Sequence, residues 1–337
     1  MKRMATFGAG SLLLAAALAA LPATSGAQAA PEALKTVLVD EDFTGTEVSD
    51  PNFHSHNACL TASTAAGGEH DFDSCADQAI GPVPAEGKTP GYLQLTDTGK
   101  YDHGGIVYNK ALTNEGGIEV TFAQYQYGGT GADGISFFIV DGDTDLEQLG
   151  AYGGSLGYAQ FHRKDIVRDG VDGAYLGLGL DAWGNFSADT EGRGKGCPEK
   201  YQAPDYLSEN INRAPDNVAL RGPGQGTDGY CLLATTATDE KIGSYGDGDI
   251  YGTDFPESLR AETLGDAKRL VKLKISDDPK PDVTVDIDFQ DGAGWVRVLE
   301  AQVPFKAPDT FKFGFASSTG GATDVHLLRH LRVETFE

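Results

Sequence analysis

The sequence predicts an all-β protein that folds as an antiparallel β-sandwich. Of its 337 residues, 45 are glycine and 15 are proline, which leaves little room for long helices and favours short strands joined by turns. Short runs of alternating apolar and polar residues recur along the chain, each bounded by Gly, Asp or Asn. No helical units separate these runs, so the pattern is typical of a sandwich and not of a parallel α/β sheet.

The runs that we predict to be strands follow one another along the chain. The clearest places Val283, Val285 and Ile287 on one face and mostly acidic residues on the other, as expected for a sheet with one buried and one solvated face. In the run 175–183, glycines at alternate positions indicate close packing beneath a sheet. The predicted strands are 37–43, 92–95, 106–108, 118–122, 135–140, 175–183, 270–275, 283–289, 296–299 and 311–316.

Two further segments need separate interpretation. In 322–336, the helical spacing of Val325 and Leu328 competes with the alternate spacing of Leu331 and Val333, and the sandwich context favours a strand. The segment 190–266 is rich in Gly, Asp and Pro and has little strand pattern. We predict it to be a long, disulfide-closed insertion in a single domain that covers 30–337.

The first 29 residues carry the pattern of a secretory signal peptide. Lys2 and Arg3 form a positive start, an apolar run covers 12–21, and Ala27 and Ala29 offer the small-x-small pattern that signal peptidase cleaves. The apolar run is too short to span a bilayer, and no later segment is apolar enough. We therefore expect a secreted, extracellular protein without a membrane span.

The charge of the chain narrows the choice of partners. With 26 basic and 50 acidic side chains, the formal net charge is −24. Nucleic-acid binding requires clustered Lys and Arg, so this balance argues against it, and it also disfavours attachment to anionic lipid. The sequence carries no indication of an oligomeric state.

The four cysteines fit an oxidising compartment. Four cysteines allow three pairings, and we favour Cys59–Cys75 and Cys197–Cys231 because each pair closes a Gly- and Asp-rich loop with little core of its own. Zinc binding is the competing interpretation, but no CxxC spacing or matched histidine pair supports it.

Oxygen-bearing side chains are concentrated directly after one predicted strand. Asp181, Asn185 and Asp189 are spaced by four, where the chain turns into a loop. Calcium takes six to eight oxygen ligands, and a loop that curls back can offer two carboxylates, an amide oxygen and a main-chain oxygen. The competing interpretation is a polar surface loop.

Three other segments, together with the Asp181 segment and in this order, resemble the L-type lectins: legume lectins, mannose-binding cargo receptors of the secretory pathway, and bacterial relatives. The resemblance is most specific over 117–224 and 311–335, and it implies a concanavalin A-like jelly roll. The segments are Gly131-Ala-Asp133-Gly-Ile-Ser-Phe-Phe138, Gly153-Gly154-Ser-Leu-Gly157 and Gly314-Phe-Ala-Ser-Ser-Thr-Gly320-Gly321.

The resemblance implies a sugar site built from these segments. Asp133, after a cis peptide bond from Ala132, would accept hydrogen bonds from two sugar hydroxyls. Gly154 would donate its amide to the sugar, because the absence of a Cβ lets a ligand approach. The backbone amides of Gly320 and Gly321 would close the site.

The resemblance also implies one calcium site beside the sugar. Asp181 and Asp189 would be its carboxylate ligands. Asn185 would place its amide oxygen on calcium and its amide N–H on a sugar hydroxyl. Trp183 would give its carbonyl to calcium and its ring to a face of the sugar.

Departures from the family limit what can be transferred. Legume lectins hold a transition metal beside calcium with a Glu and a His, and here Gly179 and Asn217 stand at those positions, so we expect no second metal. Ala322 stands where many legume lectins have a sugar-selecting side chain, so the monosaccharide is not defined.

The leading hypothesis is therefore a secreted, calcium-dependent protein that binds a hexose-containing glycan without catalysis. The first alternative is a glycoside hydrolase or lyase on the same sandwich, motivated by carboxylate pairs such as Asp40 with Asp42 and Asp286 with Asp288. The second is a structural or adhesive module that keeps calcium for stability alone.

Overall fold

A computed structural model describes residues 35–65, 72–255 and 257–336. The predicted signal peptide, 1–29, lies outside the described residues. Within them, strands joined by turns form almost all of the regular structure, and no helix is long and apolar enough to cross a membrane. The short helices are a single-turn α1 (Asp205–Ser208) and 3₁₀ turns at Cys75–Asp77, Gly153–Ser155 and Glu199–Tyr201.

The strands agree with the predicted runs, and further strands lie between them. In chain order they are β1 (Lys35–Glu41), β2 (Phe53–His56), β3 (Cys59–Leu60), β4 (Leu93–Thr96), β5 (His103–Thr113), β6 (Gly117–Tyr127), β7 (Gly134–Asp141), β8 (Phe161–Arg163), β9 (Ile166–Arg168), β10 (Ala174–Asp181), β11 (Asn217–Arg221), β12 (Gly224–Gln225), β13 (Asp228–Gly229), β14 (Leu232–Thr235), β15 (Ala237–Tyr245), β16 (Gly248–Thr253), β17 (Lys268–Ser276), β18 (Asp282–Asp288), β19 (Trp295–Gln302), β20 (Thr310–Ser318) and β21 (Val325–Phe336).

These strands form two large antiparallel sheets. The back sheet has the order β19-β18-β17-β6-β21-β4-β3, with β1 also paired to β21. The front sheet has the order β13-β12-β10-β7-β20-β5-β2, with β11 paired to β10 and β14. The predicted all-β, antiparallel sandwich is confirmed.

The main core lies between the two sheets. Phe122 of β6, in the back sheet, contacts Phe315 of β20 and Phe137 of β7, in the front sheet, with ring centroids 4.9 and 6.2 Å apart. These rings are almost fully buried, and full burial of a Phe side chain is worth about 1.5–3 kcal/mol. In β18, Val283 and Ile287 face this core and the intervening residues are more exposed, as the alternation predicted.

A second apolar cluster covers the outer face of the front sheet. Phe138 of β7 packs near Tyr158, and Tyr158 packs edge-on against Tyr230 at 5.5 Å. Phe186 is fully buried in the same cluster. Loops between the front-sheet strands supply Tyr158, Phe186 and Tyr230, so these loops are held against the sheet by their own apolar side chains.

Two uncertain segments are now defined. The segment 322–336 contains strand β21, as the sandwich context favoured, because it pairs with β1, β4 and β6 in the back sheet. Within 190–266, β11, β12, β13 and β14 belong to the front sheet, and β15 and β16 form a separate two-stranded sheet. The front-sheet strands of this segment are short and interrupted by Gly and Pro, which weakened their alternation in the sequence.

The favoured cysteine pairing is confirmed. Cys59 bonds to Cys75, and Cys197 bonds to Cys231, and there are no free cysteines in the part of the chain that the structure describes. The second bridge spans 34 residues and closes the chain that runs from the Asp189 loop to the end of the β12–β13 hairpin.

Candidate functional site

Three strands of the front sheet end at one edge, and there they bring the predicted segments together. β7 begins at Gly134, β20 ends at Ser318 and β10 ends at Asp181. Since β7 lies between the other two and runs antiparallel to both, Gly134 pairs with Ser318 and Ile135 pairs with Leu180. The loops that leave these strand ends therefore meet above a single edge of the sheet.

Asp133 lies at the centre of this edge. Its peptide bond from Ala132 is cis, as the resemblance implied. Its amide donates to the Ser318 carbonyl, and its backbone carbonyl accepts from the Trp183 amide, each at 2.8 Å. The residue is 6% exposed. Burial raises the pKa of its carboxyl to about 7, against a hydrogen bond from Ser318 that lowers it. A buried carboxyl with a strongly shifted pKa is typical of a functional site.

Ser318 connects the Asp133 loop to the glycine turn. Its hydroxyl lies 2.9 Å from Oδ2 of Asp133, to which it donates, and accepts from the Gly153 amide at 3.0 Å. The side chain is buried. No role was assigned to Ser318 from the sequence, although it lies in the segment 314–321, two residues before Gly320.

Gly154 and Asn185 are in direct contact. A Cβ on Gly154 would lie 2.5 Å from both Cγ and Nδ2 of Asn185, so any larger residue would displace the amide. Oδ1 of Asn185 is buried and has no hydrogen-bond partner among the described residues. A buried acceptor of this kind indicates a place where a ligand can donate.

The double-glycine loop lies over Asp133. A Cβ at position 320 would lie 3.6 Å from Oδ1 of Asp133. Because the residue is glycine, that space beside the carboxyl oxygen stays free. Gly321 is exposed, and a Cβ there would meet no heavy atom within 4 Å. The Gly320 carbonyl accepts from the amide of Tyr101, whose side chain is 78% exposed at the rim. The site is therefore open towards Gly321 and Tyr101.

Trp183 is partly buried and held by an arginine that the sequence reasoning did not identify. Nη1 of Arg213 donates to the Trp183 carbonyl at 2.7 Å, and the guanidinium carbon lies 3.5 Å from the centroid of the indole ring. Tyr245 packs edge-on against the same ring at 5.3 Å. One face of the ring that the resemblance assigned to a sugar is therefore covered by a guanidinium group.

The two predicted carboxylate ligands differ in their surroundings. Asp181 is fully buried and accepts from the amides of Gly184 and Phe186 at 2.7 and 2.5 Å, one on each oxygen. Burial raises the pKa of its carboxyl to about 6, against these hydrogen bonds. Asp189 accepts from Nη2 of Arg221 on one oxygen and from the Ala203 amide on the other, each at 2.8 Å.

The oxygen atoms that were predicted to be calcium ligands are not arranged to bind a calcium ion. Calcium needs several oxygens with lone pairs directed at one point. Here the Trp183 carbonyl and the Asp189 carboxylate each receive a guanidinium N–H, from Arg213 and Arg221. Of the four predicted ligands, Asn185 retains a buried oxygen without a donor among the described residues.

Gly179 and Asn217 stand where legume lectins have the Glu and His of their second metal site, and here both positions make packing or hydrogen-bond contacts. A Cβ on Gly179 would lie 2.3 Å from the Phe186 ring, so this position is filled from the loop above. Nδ2 of the Asn217 side chain donates to the hydroxyls of Thr235 and Thr236 at 2.9 and 3.3 Å. Both residues therefore support the packing of the front sheet.

Comparison with known proteins finds similar chains among solved structures. No family model matches the sequence, and no curated protein matches it. Among solved structures, the chain is similar to the exoplasmic/lumenal domain of VIP36 in its Ca²⁺/Man3GlcNAc-bound form, at 17% identity and a TM-score of 0.44, over 73% of this chain and 81% of that one. It is similar to peanut lectin with a 9mer peptide at 18% identity and a TM-score of 0.45, over 89% and 98%. It is also similar to the lectin from Bauhinia forficata in complex with GalNAc at 14% identity and a TM-score of 0.45, over 90% and 99%.

Proposed function

We propose that this chain is a secreted protein that binds a hexose-containing glycan without catalysis, at the edge where the Asp133, Gly154, Asn185 and Gly320 loops meet. The observation that carries the proposal is this meeting. The Ser318 hydroxyl is hydrogen-bonded to both the Asp133 carboxyl and the Gly153 amide. Gly154 contacts the Asn185 side chain, and Gly320 lies next to Asp133. Segments that are far apart in sequence and that resemble sugar-binding motifs are thus in contact with one another at this edge.

The chemistry of this surface suits a sugar. A carboxylate oxygen at Asp133 and an amide oxygen at Asn185 can accept from vicinal hydroxyls, and backbone amides of glycines can donate to them. The glycines leave space for a ring to approach the backbone. The exposed Tyr101 at the rim offers an apolar face, which suits the C–H face of a pyranose.

The proposal is tested first by Asp133→Ala. We expect glycan-array and calorimetric binding to be lost, by at least about a hundredfold in affinity, because a charge-assisted pair of hydrogen bonds is worth roughly 1.5–3 kcal/mol per bond. The melting temperature should stay close to that of the wild type, since removing the buried carboxyl also removes its desolvation penalty.

The matched control is Asp143→Ala. Asp143 is an exposed loop aspartate that follows the opposite end of β7, so the same change of charge should leave binding unaltered. If the wild type binds no glycan on a broad array, or if Asp133→Ala binds as well as the wild type, the proposed function is wrong.

The carboxylate pairs that suggested a hydrolase or lyase each contain an aspartate that is paired with an arginine. Asp286 is bonded to Arg297 at 2.6 Å, and Asp40 to Arg332 at 2.6 Å. A carboxylate paired with an arginine stays ionised, so it is poorly suited to act as the general acid that both glycosidase mechanisms need. We therefore expect no steady release of reducing sugar from a panel of polysaccharides.

A further inference from the structure

The loop after β10 is surrounded by arginine side chains. This loop, residues 181–189, contains all the residues that the resemblance assigned to calcium. Arg213 and Arg221 both reach it from later in the chain, and Arg193 reaches it from just beyond its end. In a chain with 50 acidic and 26 basic residues, such a concentration of cations on one short loop is unexpected.

Arg221 is the most completely engaged of the three. It is fully buried at the end of β11, and its Nε, Nη1 and Nη2 donate to the carbonyls of Phe186, Tyr230 and Ala188 at 2.6, 2.7 and 3.0 Å. Nη2 also donates to Asp189 at 2.8 Å. One guanidinium thus gathers backbone oxygens and a carboxylate of the loop, as a bound cation would.

Arg213 holds the other part of the loop. It donates to the Trp183 carbonyl at 2.7 Å and lies against the Trp183 ring. Its own backbone is fixed to the β15–β16 hairpin, because its amide donates to the Asp249 carbonyl and its carbonyl accepts from the Tyr251 amide. The guanidinium is therefore a part of the packed structure and not a freely moving surface group.

We infer that Arg213 and Arg221 take the place of calcium as the cationic support of the 181–189 loop, so that this chain organises its site without a metal. The inference rests on the proposed function only for its glycan measurements. Two guanidinium groups carry the same total charge as one Ca²⁺, but they deliver it to the Trp183 carbonyl and to Asp189 separately. Arg213 and Arg221 are thus positioning residues that hold the loop bearing Asn185.

The same contacts oppose binding of a divalent ion. A calcium ion on the Trp183 carbonyl and Asp189 would have to displace both hydrogen-bonded guanidinium groups, and repulsion between like charges in a partly buried site is strong. The displaced Arg221 would be left buried without its carboxylate partner, which is unfavourable.

The first measurement uses the wild-type protein alone. Its melting temperature is followed after EDTA treatment and after addition of about 10 mM calcium, which fills most of even a weak extracellular calcium site. We expect the same melting temperature in both, and no heat of binding when calcium is titrated by calorimetry. A fall of several degrees with EDTA that calcium reverses, or a measurable calcium heat, would overturn the inference.

The second measurement uses Arg213→Gln, with Arg213→Lys as the conservative variant. We expect about a tenfold loss of glycan affinity in Arg213→Gln, corresponding to one charge-assisted hydrogen bond, and recovery of most of it in Arg213→Lys. The matched control is Arg297→Gln, which makes the same change at an arginine on β19 in the back sheet and should bind as the wild type. Equal binding by Arg213→Gln and the wild type would contradict a positioning role.

The two proposals fail in different ways. If glycan binding appears only when calcium is present, the arginine inference is wrong and the proposed function stands. If no glycan binds under either condition, the proposed function is wrong, and the melting and calcium-titration measurements still decide the metal question.

Discussion

At the scale of single residues, the site depends on a few side chains whose partners are distant in sequence. Ser318 lies 185 residues from Asp133, yet its hydroxyl is bonded to the Asp133 carboxylate. The side chain of Asn185 is bounded by the backbone of Gly154. Each of these contacts fixes the position of a group that we propose to face the sugar.

Ser318→Ala should therefore weaken glycan binding by about tenfold, since it removes a hydrogen bond to a charged group and frees the Gly153 turn. Calorimetric titration with the best ligand from an array measures this. Ser317→Ala is the matched control, because the neighbouring hydroxyl is equally buried but donates to the Gly134 carbonyl at 2.8 Å. Equal losses in the two variants would show that the effect comes from general loosening of β20.

Residue types in local motifs were predictable, but the residues that support them were not. Asp133, Gly154 and Asn185 stand in short segments with a recognisable pattern, and the structure brings them together. Arg213 and Arg221 stand in no motif, and their relevance follows only from where β11 and the β15–β16 hairpin place them. The one indication in the sequence was that Arg221 directly follows the apolar run Val218-Ala-Leu220.

At the scale of elements, the loops matter as much as the strands. The loop after β10 and the segment that follows it are tied down by the Cys197–Cys231 bond, by Arg221 and by the Ala203 amide on Asp189. The strands themselves are regular, and their alternation made them predictable. The segment 190–266 was harder, because its front-sheet strands are short.

The double variant Cys197→Ser/Cys231→Ser should lose about 4 kcal/mol in the free energy of unfolding, because the bond closes a 34-residue loop and so restricts the unfolded chain. Urea denaturation with linear extrapolation measures the loss. The Cys59–Cys75 bond spans 16 residues, so Cys59→Ser/Cys75→Ser should lose somewhat less. A loss below about 1 kcal/mol for the longer loop would show that other contacts already order it.

At the scale of the whole molecule, stability depends on a core that excludes water and charge. His326 in β21 is fully buried, with its Nδ1 2.7 Å from the Thr96 hydroxyl. Burial lowers the pKa of its imidazole from 6.5 to about 4. Above pH 6.5 the ring is neutral in both the folded and the unfolded chain, so it contributes no pH dependence there. Below pH 6.5 the unfolded chain takes up a proton at this histidine that the folded chain does not. The free energy of unfolding therefore decreases as the pH is lowered from 6.5 to about 4.

Between pH 7 and pH 5 this histidine should remove about 2 kcal/mol of unfolding free energy. Urea denaturation at both pH values, compared between the wild type and His326→Asn, isolates the effect, because the variant should lose that part of the pH dependence. The exposed His330 lies on the same strand, and His330→Asn should keep the wild-type dependence. If His326→Asn shows the full wild-type loss at pH 5, the buried imidazole is not responsible.

The sequence by itself indicated most of the long strands, the sandwich, the favoured cysteine pairing and the segments of the candidate site. These follow from local properties: the period of apolar residues, the positions of glycine, and cysteines that close loops lacking a core. Only the tertiary structure decided which atoms those segments contact. The Trp183 carbonyl and the Asp189 carboxylate are compatible with calcium as a local pattern, but the folded chain directs Arg213 and Arg221 onto them. The partner of a buried oxygen is set by long-range packing, which the spacing of residues in one loop does not encode.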